Sequence, residues 1–178
     1  MRSSKPVGTP FTGGSEGIDE WSYDVFDALS GWAETLNGRW TRWGDGYLLL
    51  EIDRLEGTAI DPILIDTADE ELRVEFGYYE TDLPEKAVDA EGAAHEAIKF
   101  VSDWLTGAIR TAVFTNEAGH WCGTMIVESG EAVPPAPSEG MLSFNPTKVE
   151  LRGPQRQLWR LIRSDGRMSA TSGAVFGS

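Results

Sequence analysis

The chain has 178 residues, a formal charge of −14 and 40% hydrophobic residues, including seven Trp and seven Phe, which is enough for one ordinary domain with a sizeable core. A single cysteine, Cys122, excludes an internal disulfide, and with His95 and His120 as the only histidines neither a structural zinc site nor any other metal or cofactor is expected. No run approaches the roughly 18 apolar residues of a membrane span, and the opening MRSSKPVGTPFTGGSEG lacks an apolar segment after its basic residues, so a cytoplasmic protein is expected.

Residues 1–15 are rich in Gly, Ser, Thr and Pro and read as a disordered arm ahead of a single domain over 16–163. Ile18, Trp21, Val25, Leu29, Trp32 and Leu36 then recur at spacings of three and four, which predicts a helix stopped at Asn37-Gly38. Gly44-Asp45-Gly46 between RWTRW and YLLLEID reads as a hairpin turn, with Leu48, Leu50 and Ile52 on one face.

PILIDT and ELRVEFGYY follow as a second strand pair. Continuous alternation places Leu72, Val74, Phe76 and Tyr78 toward the core and Arg73, Glu75 and Tyr79 outward, with Glu80 and Asp82 at the strand's frayed end. Pro84 precedes a second predicted helix from about Glu85 to Thr106, carrying Ala87, Ala90, Ala94, Ile98, Val101 and Leu105 at helical spacing.

TAVFT and HWCGTMIV read as strands across NEAG, PPAP around Pro134 interrupts the sheet, and MLSF and KVELR bracket Asn145-Pro146 as a further hairpin. After Gly153-Pro154 the pattern of Leu158, Leu161 and Ile162 permits a short helix or a strand, and residues 164–178 read as a flexible tail. Together these elements predict an α+β fold, a largely antiparallel sheet covered by two main helices.

The acidity is placed unevenly. Residues 15–131 carry 26 acidic against 7 basic side chains, whereas residues 132–178 carry 3 against 6. A field of that sign repels nucleic acid and anionic membranes and speeds encounter with a basic partner, although it also serves simple solubility.

Catalytic signals are thin. GTPFTGG lacks the Lys-Ser/Thr ending of a phosphate loop. His120 and Cys122 share a strand face by alternation, which permits a thiolate–imidazole pair, but a buried small hydrophobe beside a turn histidine is the commoner arrangement. Asp66, Glu75 and Glu80 lie on adjoining predicted strands and offer carboxylate pairs of the kind hydrolases use. His95 reads as an exposed helix residue beside the apolar stripe. Aromatic residues rimmed by acids suit a protein interface better, so the candidate partner-binding set is Glu75, Tyr79, Glu80, Asp82, Trp43 and Trp121, with no catalytic residue assigned.

Val74-Glu75-Phe76-Gly77-Tyr78-Tyr79-Glu80, the helix from Glu85 and the Gly119-His120-Trp121 turn together resemble small bacterial immunity proteins encoded beside polymorphic or contact-dependent toxins. Related sequences often carry Trp-His after the Phe-Gly, where this chain has Tyr78-Tyr79. The resemblance implies a bacterial intracellular protein without catalysis of its own that binds and neutralises a cognate toxin, a basic protein and in many cases a nuclease. A hydrolase using paired carboxylates and an acidic phosphate mimic that inhibits DNA-processing proteins are the alternatives, and the sequence leaves the oligomeric state open.

Overall fold

The computed structural model describes residues 9–53, 61–76, 78–83, 89–128, 136–164, 167–171 and 175–176. The fold is α+β, and its strands form two antiparallel sheets in place of the one expected. The described residues up to 101 form one compact unit and those from 102 onward form another.

In the first unit, six strands run in sequence order as a meander: β1 (Thr9–Pro10), β2 (Arg39–Trp43), β3 (Tyr47–Ile52), β4 (Ile63–Asp66), β5 (Leu72–Phe76) and β6 (Tyr79–Leu83). Helix α1 (Glu20–Thr35) forms where the apolar spacing predicts. Asp19 caps it by accepting from Ser22 N at 3.0 Å, which satisfies one of the donors a helix start leaves without an intrahelical partner.

The helix stops at Asn37, whose φ of 54° is left-handed, and Gly38 N returns to Ala33 O at 2.8 Å. Glycine is required at position 38 because a Cβ there would lie 2.7 Å from Leu50 Cδ1 and 3.0 Å from Ala33 O.

Val25, Leu29 and Ala33 of α1 are buried, as are Leu48, Leu50, Ile52, Ile63, Ile65, Leu72, Val74 and Phe76 of the sheet. Helix α2 (Ala90–Thr106) has residues up to Val101 in this unit, with Ala90, Ala93, Ala94, Ala97 and Val101 buried. Phe100 packs 5.6 Å from Phe76, ring centre to ring centre, which places α2 on the same sheet face as α1. A buried polar pin joins α1 to the sheet: Ser22 Oγ shares a hydrogen bond with Thr67 Oγ1, which accepts from Leu48 N at 3.0 Å. With both hydroxyls fully buried, this network meets the requirement that buried polar groups be paired.

The second unit holds β7 (Ile109–Thr115), β8 (Trp121–Glu128), a short helix α3 (Glu139–Leu142), β9 (Lys148–Arg152), β10 (Arg156–Ser164), β11 (Arg167–Thr171) and β12 (Val175–Phe176). The sheet order is β11-β10-β9-β7-β8, and β12 pairs with β10. Ala112, Phe114, Cys122, Val127, Val149 and Leu151 make its core, with Trp159 and Met141 against them. Gly123 admits Met141, since a Cβ there would lie 2.6 Å from Met141 Cγ.

Several sequence expectations change. Within the expected N-terminal arm Thr9 and Pro10 form a two-residue strand, and Phe11 packs 4.9 Å edge-on to Phe26. MLSF is not a hairpin strand: Met141 and Leu142 close α3, both N–H groups donating to Ser138 O. Residues 156–164 follow the alternating reading and form strand, and the expected flexible tail supplies β11 and β12, because β10 offers a free edge to pair. The predicted helix start at 85–88 and the break at Pro134 lie outside the described residues.

The largest correction concerns Tyr78 and Tyr79. The strand does not continue through them: the chain reverses, so that Phe76 and Tyr79 become cross-strand partners. Residues directly opposite in a ladder share a face. Tyr79 therefore sits half-buried on the packed side, stacked 5.5 Å from Phe76 and 6.1 Å from Phe100, while Tyr78 is 54% exposed.

Candidate protein-docking face

The same reversal builds the charged face. In a ladder, residues directly opposite lie side by side, so strand register converts into rows across the sheet. One row runs Arg39, Glu51, Leu64, Glu75, Glu80 across β2 to β6, and the next runs Thr41, Leu49, Asp66, Arg73, Asp82. Glu80 and Asp82, expected at a frayed strand end, are central to β6 and exposed.

These rows hold two cations and five carboxylates. Arg73 Nε lies 2.8 Å from Asp82 Oδ1 and 3.3 Å from Glu80 Oε1. Arg39 Nη2 lies 3.5 Å from Glu51 Oε2 and 3.1 Å from Asp53 Oδ2. Glu75 stands directly opposite Glu80, a like-charge pairing that disfavours two ionised carboxylates.

Burial pushes the Glu75 carboxyl up, with the charges of Glu80 and Asp66 adding to it. Asp66 is likewise pushed up by burial, against the opposing hydrogen bond from Ala68 N and the charge of Arg73. Two neighbouring groups thus hold protons more tightly than ordinary carboxylates do.

The candidate residues distribute unequally. Glu75, Glu80 and Asp82 come together, Tyr79 takes the opposite face, and Trp43 shares their sheet face on β2 but is half-buried, with its ring centre 5.9 Å from that of Tyr47. Trp121 belongs to the second unit, is 54% exposed and donates from Nε1 to Thr124 Oγ1 at 2.8 Å. Arg73, placed outward with Glu75 by alternation, was not among the candidates, and Glu51 was missed as a member of the face, although it lies between buried Leu50 and Ile52.

The thiolate–imidazole arrangement is absent. Thr115 pairs with Trp121 and Phe114 with Gly123, so Cys122 is the extra residue of a bulge and turns into the core, 5% exposed. Its Sγ lies 3.5 Å from His120 O and from Phe144 O, and burial pushes the thiol up, away from the reactive thiolate.

The first unit has a cavity of about 620 Å³ between α1 and α2, lined by Asp24, Asp27, Glu91 and His95 among others. A second, of about 610 Å³, is bordered by Phe11, Phe26, Trp40 and Arg39. Neither includes Asp66, Glu75 or Glu80. Among the described residues no group of three or more His, Cys, Asp and Glu side chains is placed to hold a metal, and no helix is long and apolar enough to cross a membrane.

No protein-family model, curated protein or solved structure matches the chain.

Proposed function

We propose that the protein is an acidic binding module that docks a basic protein on the charged rows of its first sheet, acting as an immunity protein that blocks a cognate toxin. The observation that carries this reading is the convergence of Glu51, Asp66, Glu75, Glu80 and Asp82 on one sheet face with only Arg39 and Arg73 in the same rows. Such a surface steers a cationic partner and rejects an anionic one, and exposed acids at its rim set the encounter rate more than the final affinity. The immunity role draws further on the resemblance of residues 74–80 and the flanking elements to proteins of that kind.

The test is calorimetric titration against the toxin domain encoded beside this gene, with Glu75, Glu80 and Asp82 all changed to Lys. The triple variant is expected to bind more weakly and to lose most of the salt dependence. Equal affinity in wild type and variant would remove these residues from the interface, and no complex at all would end the immunity reading.

A second reading, a hydrolase using paired carboxylates, draws on the raised proton affinity of Glu75 and Asp66. It requires a cleft over those groups, and neither cavity described above is lined by them.

A further inference from the structure

We infer that the partner is held as an added strand: an extended segment with Lys or Arg at alternate positions pairs along the outer edge of β6. This inference rests on the docking reading above and names its mode. β6 ends the strand order of its sheet and pairs with β5 alone among the described residues. Along such an edge every second residue turns its N–H and C=O outward, which is a template for another strand.

The side chains decide what kind of strand fits. Glu80 and Asp82 lie on one face of β6 and are exposed, while Tyr79, Thr81 and Leu83 alternate with them and are half-buried. A second copy of β6 would set carboxylates against carboxylates, which disfavours self-pairing. A strand added about 4.8 Å away with cations at positions i and i+2 places them directly opposite Glu80 and Asp82. The row Arg39–Glu51–Leu64–Glu75–Glu80 then ends in a cation, next to the like-charged Glu75–Glu80 pair.

Arg73 reaches Glu80 and Asp82 from β5, so the added cation shares carboxylates already oriented by a resident one. The opposite edge of the same sheet is a poorer template, since β1 has only two residues.

The probe is a synthetic peptide, Lys-Val-Lys-Thr-Lys-Val-Lys, compared with the same peptide N-methylated at alternate amides on either edge. N-methylation keeps charge and side chains but removes the donors that a ladder needs. The parent peptide is expected to slow amide hydrogen exchange within Glu80–Asp82, and each N-methylated form that blocks the pairing edge to bind about tenfold more weakly by calorimetry.

Equal binding of parent and N-methylated peptides, with exchange in β6 unchanged, overturns strand addition and leaves docking by charge alone. Failure of the parent peptide to bind at millimolar concentration also overturns it. The toxin titration with the triple Lys variant answers separately for the broader reading. A Glu80→Lys, Asp82→Lys protein given the mirror probe Glu-Val-Glu-Thr-Glu-Val-Glu should recover binding and lose it again when the pairing edge of that probe is N-methylated, whereas docking by charge alone would recover binding with either form.

Discussion

The two faces of the first sheet are made by the same strands with opposite physical logic. On one, Leu48, Leu50, Ile52, Ile63, Ile65, Leu72, Val74 and Phe76 are all at most 1% exposed and pack against two helices. On the other, residues one position away along each strand carry seven charges in two rows. The packed face holds the fold by burial, at roughly 25 cal/mol per Å² of apolar surface. The charged face holds little, because exposed ion pairs such as Arg73–Asp82 contribute only about 0–1 kcal/mol. A surface that contributes so little to stability is free to be shaped by a partner.

The comparison is broken most severely from the packed side. Phe76→Ala removes a ring that touches both Tyr79 and Phe100, and is expected to lower the unfolding free energy by about 3–5 kcal/mol in urea titration. A loss below about 1 kcal/mol would mean that its neighbours refill the space and that this contact does not anchor α2.

Thr67→Val keeps the volume but strips the hydroxyl from the pin between α1 and β3. It leaves the buried Ser22 Oγ and Leu48 N without this partner, and about 1–3 kcal/mol should be lost. Faster hydrogen exchange at the start of α1 than elsewhere in the sheet is the accompanying sign, and uniform exchange would count against a local pin.

The smallest effect comes from the charged face and has the opposite sign. The folded Glu75 carboxyl has a raised pKa, so the folded state binds its proton more tightly than the unfolded state does. Its penalty is complete above the raised folded pKa and fades as pH falls through that value toward the ordinary one near about 4.3. Glu75→Gln should therefore stabilise the protein by about 0.5 kcal/mol at neutral pH, after allowing for solvent screening, and the gain should shrink on acidification. A variant less stable than wild type at neutral pH would show that Glu75 makes a favourable contact in the folded protein.

Much of the fold was legible. The spacing of Val25, Leu29 and Ala33 predicts α1, and the alternation of Leu48, Leu50 and Ile52 predicts their shared face, because both patterns follow from backbone periodicity. The failures cluster where a strand turns. Alternation assumes an unbroken strand, and it put Tyr78 inside and Tyr79 outside, whereas reversal after Phe76 exchanges them. The extra residue at Cys122 is a failure of the same kind: one inserted residue uncouples it from the parity of its neighbours.

The sequence by itself determined that this is an acidic α+β protein with an amphipathic first helix, and that Glu75 faces away from Val74 and Phe76. These are properties of composition and of repeats shorter than one turn or one strand. Only the tertiary structure decided that the strands divide into two sheets, that Glu75 stands opposite Glu80 beside Arg73 and Asp82, and that β6 is an outer strand. Register and strand order are set by contacts between segments distant in the chain, where packing of buried faces outweighs local preference.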